Sequence, residues 1–116
     1  MLYHFEKPDT QINQMCRKDF FDHCMKNLSA TDYDAISDYM IEKLSNNKKV
    51  YSSLITPEEW ATVYRPVAVA CSNDTQTTAF FIGLLFYNVY MNCNFEVFFI
   101  DTVLPNGVET KAYWKK

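Results

Sequence analysis

Between Thr78 and Met91 the chain reads TAFFIGLLFYNVYM, and polar positions almost disappear. A helix that is apolar on every side belongs inside a protein rather than on its surface. The stretch is also too short for a bilayer, which needs ~20 predominantly apolar residues. The pattern therefore predicts a buried central helix over about 75–92, capped by Asn73 or Asp74 and ended near Asn92 and Asn94.

The remaining segments alternate more evenly. Met1 to Pro8 reads as a short strand or an ordered arm around Leu2, Tyr3 and Phe5. Ile12, Met15, Cys16, Phe20, Cys24 and Leu28 then recur at steps of three and four, which predicts one helix from Thr10 to about Asn27. Thr31 with Asp34 approximates a capping box for a second helix, from Asp32 to about Leu44. Thr56-Pro57-Glu58-Glu59 is the clearest helix start in the chain: an N-cap threonine, a proline at the first position and a glutamate closing the box. Pro66 should kink or split the helix that follows, because it has no N–H to offer the carbonyl of Thr62. Periodicity leaves Val67 to Cys71 open between helix and strand, and Val50 to Ile55 open between connector and strand.

Phe95 to Val103 is rich in aromatic and β-branched residues and reads as a strand. Pro105-Asn106-Gly107 supplies a turn, and Val108 to Trp114 returns as the second strand of a hairpin. On the first strand Phe95, Val97 and Phe99 share one face, and Phe98 and Ile100 share the other. One face has to pack on the helices. The other is then an apolar patch that needs cover from the N-terminal arm, from Val50 to Leu54, or from another chain.

The resulting fold class is α+β and mainly helical. About four helices surround the central one, and a C-terminal hairpin follows, an order that is winged-helix-like. With 116 residues and no repeat or long linker, residues 1–116 make a single domain.

Composition sharpens this picture in two places. Aromatic residues make up 16% of the chain, with nine Phe and eight Tyr, so a short chain still builds a substantial core and has rings to spare for an interface. The net charge is -3 and no basic residue occurs between Pro66 and Thr110, which argues against a nucleic-acid partner. Read as a winged helix, the chain would present a recognition helix with Gln76 and Asn88 and no positive charge. The preference for Lys over Arg, with many Asn, Tyr and Phe, is what an A+T-rich coding source such as a phage or mobile element leaves.

Signals for catalysis are sparse. Four cysteines stand outside any CxxC spacing, and most have apolar neighbours, which favours reduced thiols in a cytoplasmic protein. His23 has Asp19 one turn before it, a two-ligand arrangement that nothing else in the sequence completes. Cys24 adjoins His23, but neighbouring helix positions point apart. The two glycines, Gly83 and Gly107, stand in no phosphate-cradling pattern. The expectation is a non-enzymatic protein-interaction module, of adaptor or inhibitor type, with no cofactor and no metal. Its partner is another protein or a second copy in a homodimer, with no membrane role. The candidate contact residues are Phe98, Ile100 and Tyr113 on the hairpin and Asp34, Asp38 and Glu42, which line one edge of the second helix.

Overall fold

Pro66 and the chain just before it show how local chemistry shapes this molecule. In the computed structural model, which describes residues 1–53 and 59–116, a π-helical turn spans Trp60–Tyr64 and runs directly into helix α3, Arg65–Ala70. The N–H of Arg65 reaches back five residues to the carbonyl of Trp60. The wider turn accommodates a proline that cannot donate, so Val67 to Ala70 continue as helix. Of the predicted capping box at residues 56–59, only Glu59 lies within the described residues.

The first predicted helix is much shorter than its periodicity implied. Gln11–Ile12 form strand β2, paired antiparallel with β1, Leu2–His4. Helix α1 begins only at Lys18 and spans Lys18–Met25. Arg17, with φ of 50°, takes a left-handed backbone that no helix interior allows, so the chain cannot be helical straight through. Ile12 is apolar for the sake of a strand, and Cys16 is exposed rather than part of a core stripe.

Helix α2 spans Ala30–Asn46 and starts earlier than expected, with Ser29 as its cap: the Ser29 hydroxyl accepts from the N–H of Asp32 at 3.0 Å. Helix α4 spans Thr75–Asn92, and Asp74 is its N-cap, accepting from the N–H of Thr77 at 2.8 Å. Nine residues of α4 are buried, from Thr78 to Tyr90, and it packs against α1, α2, α3, the π-helical turn and β1. Near its C-terminus the Met1 ammonium donates to the carbonyls of Cys93 at 2.6 Å and Phe95 at 2.9 Å, placing positive charge at the negative end of the helix.

The hairpin is β4, Val97–Val103, and β5, Glu109–Lys115. Its turn forms as the sequence implies: Gly107 has φ of 86°, and the Asn106 side chain accepts from the N–H of Val108. β1 lies parallel to β4, while β3, Val50–Tyr51, lies antiparallel to β5. The five strands make a sheet in the order β2-β1-β4-β5-β3. The N-terminal arm and the Val50 segment thus widen the sheet instead of covering it.

The molecule is an α+β domain in which helices lie on one face of this sheet. Leu2, Val50, Val97, Phe99 and Tyr113 point from the sheet into one continuous apolar core with Ile36, Met40, Phe81, Phe86 and Tyr90 from the helices. Among the described residues, no helix is long and apolar enough to cross a membrane.

Candidate interaction surface

Strand register decides which side chains share the sheet's second face. In β4 the even-numbered residues point away from the helices, opposite the buried Val97 and Phe99. Phe98 pairs with Tyr3 on one side and Trp114 on the other, so three rings form a row across three adjacent strands. In the next row Ile100 faces Ala112, and Ala112 faces Tyr51. Phe5 follows Tyr3 on the same face and is 52% exposed.

These rings touch. Their centroids lie 6.2 Å apart for Tyr3 and Phe98, 6.1 Å for Phe98 and Trp114, and 5.4 Å for Phe5 and Trp114, in edge-on or tilted arrangements that aromatic pairs prefer. Two ammonium groups sit on the rings: Lys49 lies 5.4 Å from the Trp114 centroid and Lys116 lies 5.8 Å from that of Phe98. Lys116 is also 3.1 Å from Glu96. The surface is thus aromatic in the middle, with Lys49 at its β3 edge and the Lys116–Glu96 pair beside Phe98.

The predicted contact residues divide. Phe98 and Ile100 share the outer face, each partly exposed. Tyr113 does not join them: it pairs with Phe99, points to the helices and is fully buried, packed against Phe86 and Tyr90. The hairpin's loop length sets this register, and a change of one residue would turn every β5 side chain over. Asp34, Asp38 and Glu42 are all exposed along α2, on the helical side of the sheet, so they do not form one surface with Phe98 and Ile100. Sequence reasoning missed Tyr3, Phe5 and Tyr51 as members of the same face because nothing local shows that β1 and β3 flank the hairpin, and it missed Trp114 because the hairpin register decides which β5 residues face outward.

A second concavity, of about 930 Å³, lies between the first half of α4 and the far end of the hairpin. Phe80, Gly83, Tyr87 and Arg17 line it on one side, and Asp101 and Lys111 on the other. Its charges are largely engaged with each other and with neighbours. Lys111 pairs with Asp101 at 2.5 Å, His4 Nε2 lies 3.8 Å from Asp101, and the Arg17 guanidinium rests 5.9 Å from the Phe80 ring centroid. Burial pushes the Tyr87 hydroxyl up to about 12, and Cys16 and Asp101 add to the effect, so Tyr87 stays protonated at neutral pH.

The chemistry weighed from the sequence is not assembled. His23 and Asp19 are both exposed on α1, and the concavity does not reach them. Cys24 and Cys71 are buried near one another, and burial raises both thiols, Cys71 to about 11. Thiols held neutral in this way are poor nucleophiles. Among the described residues, no three His, Cys, Asp or Glu side chains cluster as metal ligands.

Comparisons with protein families, with curated proteins and with solved structures find no match for this chain.

Proposed function

We propose that this chain is a non-enzymatic protein-interaction module, of adaptor or inhibitor type, that docks through the outer face of its sheet. One observation carries the reading: the row Tyr3, Phe98, Trp114 spans three adjacent strands on the side of the sheet opposite the helices. A side chain with an apolar body and some exposure gains by leaving water, at roughly 25 cal/mol per Å² of apolar surface covered. Aromatic rings are the residues that most often anchor protein interfaces, because they bring a large area at low entropic cost. The helices, with α4 among them, serve in this reading as the scaffold that keeps the sheet rigid.

Less supports a winged-helix nucleic-acid binder. β4 and β5 are inner strands with β1 and β3 at their sides, so the hairpin is not a free wing. The helix that would read a groove, α4, has nine of its residues buried. Recognition helices work by presenting polar side chains outward.

The reading is tested by placing a photo-crosslinking phenylalanine analogue at position 98 and, separately, at position 38, in cells expressing the chain. A defined crosslinked species is expected from position 98. Crosslinks from position 38 alone, or from neither, would overturn it.

A further inference from the structure

Helix α4 and the hairpin part company along their length. At one end they touch: the Tyr87 ring packs edge-on against Phe99, with centroids 5.6 Å apart. Towards the start of α4 the inner side of the hairpin changes character. Beyond the buried Val97 and Phe99 the same side of β4 carries Asp101, and next to the buried Tyr113 the same side of β5 carries Lys111. Taking such an ion pair out of water costs more than its attraction returns unless its other bonds are also made. The helix therefore does not close over these charges, and the wedge left between the two layers is the concavity of about 930 Å³.

Helix α4 meets the wedge with Phe80, Gly83, Leu84 and Tyr87, one face at steps of three and four. This wall runs from half-exposed Phe80 at the mouth to buried Leu84 and Tyr87 at the closed end. Gly83 lies between them. A β-carbon there would meet no atom within 4 Å, so the protein's own packing does not require glycine. The space beyond it belongs to the wedge. Small-molecule sites span ~300–1,000 Å³, with apolar walls and a few polar groups that fix orientation.

Two donors face this space with no acceptor. The Arg17 guanidinium rests on the Phe80 ring and makes no ion pair among the described residues. Tyr87 is 7% exposed, and its hydroxyl has no hydrogen-bond partner among the described residues. Lys111, the other cation of the lining, is engaged by Asp101. Glu109 stands exposed on the strand wall.

We infer that the wedge binds a small aromatic carboxylate, with its ring against Gly83 and its carboxylate held by Arg17 and Tyr87. A guanidinium matches a carboxylate with two parallel N–H bonds, and a phenol donates one more. A slot between two layers suits a flat body, for which Phe80 and Tyr87 supply ring partners. A single negative charge suits it better than a phosphate dianion, because Asp101 and Glu109 line the same space. The site lies on the helix side of the sheet and does not rest on the aromatic row outside.

The experiment is isothermal titration of the full chain with naphthoate, and with naphthylmethanol as its neutral counterpart. Naphthoate is expected to bind with a Kd of about 10–300 μM, the range open to a ligand of this size, and naphthylmethanol at least about fivefold more weakly. Gly83→Leu should abolish naphthoate binding without lowering the thermal midpoint, since the new side chain fills the wedge. Ala79→Trp, at the exposed mouth, serves the same purpose if Gly83→Leu fails to fold. Arg17→Gln should weaken naphthoate about tenfold and leave naphthylmethanol unchanged, and Tyr87→Phe, which keeps the ring, should weaken naphthoate about fivefold. Cys16 gives an independent reading, because it lines the wedge and is the exposed one of the four cysteines. Naphthoate should slow its alkylation by iodoacetamide. No binding at concentrations up to about 1 mM, or binding unchanged in Gly83→Leu and Ala79→Trp, overturns the site. Equal affinity for naphthylmethanol, or indifference to Arg17→Gln, overturns the carboxylate. Crosslinking at position 98 is a separate measurement, so the interaction-module reading stands or falls without this site.

Discussion

The ammonium of Lys43 on α2 donates to Oε1 of Glu59, a carboxylate with none of its surface in water. The pair joins α2 to the start of the π-helical turn, two elements distant in sequence that share one wall of the core. Removing one member of a buried pair leaves a charge without its counterion, at a cost of ~3–5 kcal/mol, whereas replacing both with apolar residues is often nearly neutral. Lys43→Met should therefore lower the unfolding free energy by about 3 kcal/mol. Lys43→Met with Glu59→Leu should recover most of that loss. Urea denaturation of the two variants measures it.

Tyr90 makes a second cross-link, donating from its hydroxyl to the carbonyl of Met40 at 2.7 Å within the core. Tyr90→Phe keeps the ring and its packing on Tyr113 and deletes only this bond. The expected loss is about 1 kcal/mol, the usual net value of one internal hydrogen bond. A loss above about 3 kcal/mol in denaturant titration would mean the hydroxyl does more than bridge α2 and α4.

Gly83 sits in the middle of α4, where glycine weakens a helix by roughly 1 kcal/mol relative to alanine. A β-carbon there would meet no atom within 4 Å. Gly83→Ala should accordingly stabilise the fold by about 0.5–1 kcal/mol, seen as a rise in thermal midpoint.

Alkali should unfold the protein in a defined window. Burial raises the ionisation of Cys71 to about 11 and of Tyr87 to about 12, and raises Tyr90 and Tyr113 as well. Each group prefers to stay neutral in the folded state. Its contribution to stability is complete below its unfolded value, near 9 for the thiol and 10 for the phenols, and is lost as pH rises through the folded value. Stability should fall steadily above about pH 9. Tyrosinate absorbance should show these phenols titrating together with unfolding rather than before it.

Much of the helical layer could be read from the chain. The all-round apolarity of α4 and the Asp74 cap are local signals, and the structure has both. The Asn106-Gly107 turn is equally local. The sheet was less legible, because its partners come from distant sequence. Leu2 pairs with Val97, and Val50 with Tyr113. No periodicity in a three-residue strand reveals such a neighbour. The same gap explains Tyr113: its side of the sheet depends on hairpin register, a property of the loop rather than of Tyr113 itself. Ile12 shows the opposite error, since one apolar residue fits a helical stripe and a strand equally well.

The parallel contact of β1 with β4 ties residues near the start of the chain to others almost a hundred positions later. Such distant contacts slow folding, since a long loop must close before they form. During synthesis, at ~5–20 residues per second, the helices can collapse on one another while β1 waits for its neighbour to leave the ribosome. The row of rings is therefore completed only when Trp114 emerges. Nascent chains crowded on one messenger would not expose a finished aromatic row to one another until Trp114 of each had emerged.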